Sequence, residues 1–299
     1  MRPRPLLIAL AFVAFISLGL PDGVLGVAWP SIRDAFALPL SRLGVLLACG
    51  TCGYLLVSTT SGPLARRFGV GVLLTGSTAA VVAGLALYAA SPSWWWLLPA
   101  AALGGLGAGG IDAGLNAYAA EHFSARVMSW LHACYGIGAT TGPLIVTGVL
   151  AAGWSWRWSY GLLGGLMLVL AALFLATQRL WSNGHAGHAE PAERAPMLAT
   201  LRRPIVWLHV LLFWVYCGIE VSAGQWLYTI LTESRGVRAE VAGPVVAGYW
   251  GSLTLGRIVF GQIAARVSRE AILRLAVLLV PAACGLLWLG GASGVGGAG

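Results

Sequence analysis

Apolar runs long enough to cross a bilayer recur nine times along this chain, and that recurrence leaves room for little besides a bundle of membrane-spanning helices. A hydrocarbon core about 30 Å thick is crossed by ~20 apolar residues in helical conformation. Runs of this kind occupy residues 6–30, 43–63, 70–90, 95–119, 128–151, 160–177, 205–231, 245–264 and 272–290. Only 9% of the 299 residues are charged and 58% are hydrophobic, whereas roughly a quarter of a soluble domain is charged. So few charges cannot cover a water-soluble body of this size. The expected fold class is an all-α polytopic membrane protein with about nine transmembrane helices. The first run follows Arg2 and Arg4 and has the outline of a signal peptide. It reads better as a first span, because equally apolar runs follow and it carries an acid.

All 18 basic residues are arginine, and the net charge is +8. A nucleic-acid binder clusters its arginines on one face among aromatics; here they sit singly or in pairs between apolar runs, as topology signals do. With the N-terminus in the cytoplasm, twelve arginines fall in cytoplasmic segments and five in outer loops, leaving Arg257 inside a span. The opposite orientation inverts that ratio, so the N-terminus is placed inside. Trp94, Trp95 and Trp96, with Trp154, Trp156 and Trp158, fall at two outer ends of runs and read as interfacial anchors. The five cysteines, Cys49, Cys52, Cys134, Cys217 and Cys284, lie within apolar runs and read as small packing residues.

One long polar segment, 178–204, separates six runs from three. It is read as a cytoplasmic linker between an N-terminal six-helix bundle (1–177) and a partial second bundle (205–299). His185 and His188 in it lack further ligands, so neither a metal site nor a cofactor is expected. The two sides look related. Gly62 to Arg67 closes the second run and Gly261 to Arg266 the eighth, at an offset of 199. Asp22 with Gly26 and Glu220 with Gly224 repeat at an offset of 198. A repeated six-helix unit is a known transporter plan. The second copy has three runs before the chain closes on Gly294 to Gly299, so the sequence is expected to be truncated and not to transport alone.

Three acids fall inside spans: Asp22, Asp112 and Glu220. A charge at mid-bilayer costs about 2.5–3.5 kcal/mol on insertion scales, so such groups face a cavity or a partner. Asp112 and Asn116 are four residues apart and share a helix face. They sit in a glycine-rich stretch, 104–116, that lets helices approach closely. His132, at similar depth on the next helix, either relays protons with Asp112 or forms a structural pair with it. Desolvation favours the neutral carboxyl, so Asp22 and Asp112 suit proton loading and release. Trp29, Tyr54, Tyr118, Trp226 and Tyr228 either line a cavity that stacks on a sugar face or simply pack.

The loop after the second run, Gly62-Pro-Leu-Ala-Arg66-Arg67-Phe-Gly69, is similar to the GxLADRxGRR signature of the major facilitator superfamily. Its echo at Gly261 and Arg266, with Arg257 one turn earlier, and the six-plus-six plan resemble the same family. Asp112 with Asn116, then Leu131, His132, Tyr135, Gly136, Gly138, Gly142 and Pro143, resemble its fucose-permease-like branch, as does Glu220 with Trp226. The resemblance implies proton–sugar symport, with Asp22, Asp112 and His132 in proton coupling. It further implies Trp29, Asn116, Tyr135, Glu220, Gln225 and Trp226 around the substrate. Gly62, Arg66, Arg67, Gly69, Arg257, Gly261 and Arg266 would form the gating motif. One departure stands out: Arg66 replaces the family's loop acid, which puts the cytoplasmic latch in doubt.

The expected function is therefore secondary active transport, not catalysis, of a sugar or similar polar metabolite by a monomer in the bacterial inner membrane. The partners are a small solute, protons and the lipid bilayer. An exporter of amphipathic compounds on the same scaffold is the alternative, while a non-transporting sensor or an intramembrane enzyme fits less well.

Overall fold

The computed structural model describes residues 5–181, 197–263 and 267–292. Among them the regular structure is entirely helical. The helices are α1 (Pro5–Gly19), α2 (Val24–Ala35), α3 (Arg42–Phe68), α4 (Val70–Ala90), α5 (Trp94–His122), α6 (Ala125–Ala151), α7 (Trp156–Thr177), α8 (Met197–Leu201), α9 (Pro204–Thr229), α10 (Ala239–Ile263) and α11 (Arg269–Ala292). Among the described residues the apolar runs of the sequence lie on helices, the first of them on two. Six segments among the described residues are long and apolar enough to cross a membrane: Pro5–Ala35, Arg42–Phe68, Val70–Ala90, Arg126–Ala151, Trp156–Trp181 and Pro204–Ser234. Helices α5 and α10 have the length, but their glycines dilute the apolarity. The chain is a multi-pass membrane protein. His185 and His188 of the polar segment, Arg266 of the loop echo and the terminal glycines lie outside the described residues, as does the side chain of Arg257.

The first run is not one helix. It breaks at residues 20–23 between α1 and α2. Pro21 explains the break: it has no N–H to donate, and its ring crowds the carbonyl four residues back. The chain is held there by short-range bonds, Asp22 N–H to the Gly19 carbonyl and Val24 N–H to the Pro21 carbonyl, both 3.2 Å. A second irregularity closes the seventh run, where α9 passes into a π turn, Ile230–Ser234.

Helices α3 and α4 both pack on α5, and α4 also packs on α7. Small residues allow this: a Cβ on Gly84 of α4 would lie 2.7 Å from the Ala100 carbonyl oxygen. Without a hydrophobic drive between helices in lipid, such close backbone approach is what associates them. Helix α6 instead packs on α1 and α10. Helices α6 and α10 interlock along their length: a Cβ on Gly136 would collide with Thr254 and one on Gly243 with Thr147. Helix α1 belongs with α6, whereas α2 is the half of the first span that meets α9. Much of α9 is exposed, with Phe213 68% and Trp214 72% accessible.

The tryptophan belts divide. Trp95, Trp96, Trp154 and Trp158 are exposed, as anchors should be, but Trp94 and Trp156 are buried. Each buried ring has an arginine over it, Arg42 at 5.9 Å from the Trp94 centroid and Arg157 at 4.5 Å from that of Trp156. Helical periodicity accounts for this, since consecutive residues point 100° apart and only part of each cluster can face lipid.

Candidate functional site

Two carboxyl groups anchor the polar interior. Asp22 occupies the break between α1 and α2, where the chain makes an irregular turn. The Tyr135 hydroxyl of α6 donates to its Oδ2. Gln225 of α9 donates from Nε2 to the Asp22 main-chain carbonyl, one of the groups that a broken helix leaves without an internal partner. Asp22 is thus bonded from both sides of the polar segment at once.

Asp112, on α5, forms a second centre. The Tyr54 hydroxyl of α3 donates to its Oδ2. Asn116, one turn on, donates from Nδ2 to Oδ1 at 2.7 Å and to the Asp112 carbonyl at 3.0 Å. The four-residue spacing read from the sequence does place the amide on the carboxylate. Glycines bring the helices close enough: a Cβ on Gly109 would lie 3.0 Å from the Tyr54 Cα. Tyr54, grouped among candidate sugar-stacking rings, has its hydroxyl committed to this acid.

The remaining candidates separate. His132 is exposed on α6 and sets its ring edge-on to Phe15 of α1, with centroids 5.5 Å apart. It lies beside α1 because α6 packs there and meets α5 only marginally. The bonds described for Asp112 go to Tyr54 and Asn116. Glu220 is half-buried on α9, and its main-chain carbonyl accepts from the Tyr249 hydroxyl at 2.9 Å. Trp226 is half-buried on the same helix. Trp29 is fully buried in the core. Tyr118 is buried too, stacked on His122 at 4.1 Å, and Tyr228 is 5% exposed.

Near Asp22, Gln225 Oε1 and Trp250 Nε1 are buried without a hydrogen-bond partner among the described residues. Trp250 is on α10, and its Nε1 lies 3.0 Å from where a Cβ on Gly23 would sit. Sequence reasoning missed Trp250. Its signal was weak, since a lone tryptophan in an apolar run is usually packing.

The loop motif is compact. Gly69 alone connects α3 to α4, with φ of 87° and ψ of 154°, a region essentially reserved for glycine. Its N–H donates to the Ala65 carbonyl at 2.8 Å. Gly62, Arg66 and Arg67 are exposed at this end, and the Arg67 guanidinium lies over the Phe68 ring at 5.1 Å. Helix α10 carries Gly261 in its last turn.

Solved structures share this architecture. The chain superposes on a D-xylose–proton symporter with a TM-score of 0.68 at 14% identity, covering 89% of this chain and 70% of that one. It is 27% identical to the 3-(3-hydroxy-phenyl)propionate transporter of Escherichia coli (strain K12) over 86% of its own length and 64% of that protein's. It is 21% identical to sodium-dependent glucose transporter 1A of Mus musculus, over 82% and 66%. It thus spans about two thirds of these relatives. The family model described as Major Facilitator Superfamily matches residues 8–298. A match that leaves so little of the sequence outside it decides the matter: the chain belongs to the Major Facilitator Superfamily.

Proposed function

We propose that this chain carries the N-terminal bundle and the start of the second bundle of a proton-coupled, alternating-access transporter for a sugar or similar polar solute. The observation that carries the reading is Asp22, a carboxyl group inside the first span, in a helix break, bonded by Tyr135 from one bundle and by Gln225 from the other. An acid in that position can exchange a proton as the bundles rearrange, because intramembrane acids cost too much to be kept without a partner or a path. Broken helices line the solute sites of membrane transporters. The unpartnered Gln225 Oε1 and Trp250 Nε1 offer an acceptor and a donor beside the break. That combination suits a hydroxyl group, which both donates and accepts. A D-xylose–proton symporter among the structural neighbours and sodium-dependent glucose transporter 1A among the relatives support a sugar-type solute. The same reading extends the fucose-permease-like resemblance, with Asp112 as second acid, and places the N-terminus in the cytoplasm of a bacterial inner membrane. The protein acts as a monomer, with 1–177 and 205–299 belonging to separate bundles across the 178–204 linker.

The test is gradient-driven uptake into proteoliposomes by the product of the whole gene, screening hexoses, deoxyhexoses, nucleosides and small drugs. Accumulation of one sugar, driven by an inward proton gradient and lost in Asp22→Asn, supports the reading. Efflux of drugs with no sugar accumulation would replace it with an exporter on the same scaffold.

A further inference from the structure

Helices α3 and α4 both lie along α5 but scarcely touch each other. The gap between them is a groove of about 300 Å³. Val57, Leu64 and Phe68 line it from α3, Val72 and Ala80 from α4, and Leu106 of α5 floors it. Gly76, also in the lining, keeps it open: a Cβ added there would meet nothing within 4 Å. Among the lining residues only Ser77 has a polar side chain. The outer side of the groove is open, with Phe68 52% and Val72 42% exposed. From Val57 to Phe68 it climbs ~16 Å along α3 at the helical rise, half of a hydrocarbon core about 30 Å thick. The groove therefore has the depth of one lipid leaflet.

Its mouth is cationic. Phe68 ends α3 directly after Arg66 and Arg67, and both of those side chains are exposed. The Arg67 guanidinium lies over the Phe68 ring at 5.1 Å, which holds it where the groove begins. Neither arginine has a carboxylate partner among the described residues. With the family's acid at position 66 the mouth would be near neutral, whereas Arg66 gives it two positive charges.

We propose that this groove holds one acyl chain of an anionic phospholipid whose phosphate is bound by Arg66 and Arg67. An apolar slot one leaflet deep and open along its side matches a lipid chain and not a soluble solute. Two uncompensated guanidinium groups at the mouth match a phosphate, to which arginine presents paired N–H donors. A zwitterionic lipid brings its own cation toward the same arginines and gains less from them. The site is separate from the Asp22 and Asp112 centres and does not depend on which solute is carried.

The experiment is photolabelling of the whole gene product in phosphatidylcholine nanodiscs. Two probes are compared, phosphatidylglycerol and phosphatidylcholine carrying the same diazirine acyl chain. The phosphatidylglycerol probe is expected to label the α3–α4 lining about 25-fold more than the phosphatidylcholine probe, at about fivefold for each arginine. Arg66→Gln should cut the preference about fivefold, and Arg66→Gln with Arg67→Gln should remove it. Gly76→Leu, whose added side chain starts in open space, should abolish labelling of the groove by either probe. It needs no change at the arginines, so this arm stands even where an arginine variant fails to fold. Excess glycerol phosphate, a headgroup without a chain, should displace no label. Equal labelling by the two probes, a preference that survives loss of both arginines, or labelling that survives Gly76→Leu would each overturn the site. So would displacement by glycerol phosphate, or a groove that takes no label because another part of the protein fills it. No solute moves in this assay, so its failure leaves the transport reading intact.

Discussion

Gly26 of α2 and Gln225 of α9 meet backbone to backbone, with room for a hydrogen on Gly26 but not for a methyl group, which would sit 2.6 Å from the Gln225 carbonyl oxygen. The contact joins one helix from each side of the polar segment, and the same glutamine reaches on to the Asp22 carbonyl.

Gly26→Val should therefore wedge α2 from α9 and break the Gln225 bond to the helix break. The expected loss is about 1–3 kcal/mol, the usual cost of overpacking, read as a lower thermal midpoint in detergent. A midpoint equal to the parent's would show that the two helices separate freely.

For the acids, stability and activity should part company. Asp112→Asn keeps Oδ1 as the acceptor for Asn116 and turns its NH2 to the Tyr54 hydroxyl, which can accept as well as donate, so the thermal midpoint should barely move. Gradient-driven uptake by the whole gene product should fall to the level seen without a gradient, because an amide, unlike a carboxyl group, does not gain or lose a proton near neutral pH. Retained uptake would remove Asp112 from the coupling scheme.

Trp250→Phe tests the unpartnered indole. It deletes the N–H together with the indole edge that lies against Gly224 and Gly23, so the thermal midpoint is measured alongside to separate lost packing from lost binding. Loss of one hydrogen bond of about 1 kcal/mol should weaken sugar binding roughly fivefold, measured by calorimetry on the whole gene product. Binding unchanged by the substitution would assign Trp250 to packing.

Gly69→Ala addresses the loop motif. The backbone there, at φ of 87° and ψ of 154°, costs a side-chain-bearing residue about 1–3 kcal/mol. Thermal unfolding should register the loss even though a Cβ there would meet nothing within 4 Å.

Much of this fold is legible in the sequence because lipid permits few solutions. Among the described residues the apolar runs lie on helices, and the Asp112–Asn116 pairing follows from spacing alone. The break in the first span did leave a signal: Pro21, Asp22 and Gly23 form a turn-prone triplet, masked by the apolar residues on either side. The separation of His132 from Asp112 left none. Sequence order makes consecutive helices the expected neighbours, whereas α6 lies along α1 and α10. That choice is made by small residues on three helices jointly, such as Gly138 against the Ile16 carbonyl, and no single segment reveals it. Trp94 and Trp156 teach a similar lesson, because a run of tryptophans cannot all face one solvent.

The interruption at residues 20–23 has a mechanical consequence. Helix α1 packs chiefly on α6, while α2 packs on α9 and also reaches α6. A motion that tilted α9 away from α6 would fall in part on the few residues joining α1 to α2, which would then serve as the compliant joint of a lever. Asp22 sits in that joint with its side chain tied to Tyr135 on the fixed arm and its main chain tied to Gln225 on the moving one. Rotation of the joint would shear one tie against the other, so the acid cannot remain indifferent to the position of the lever.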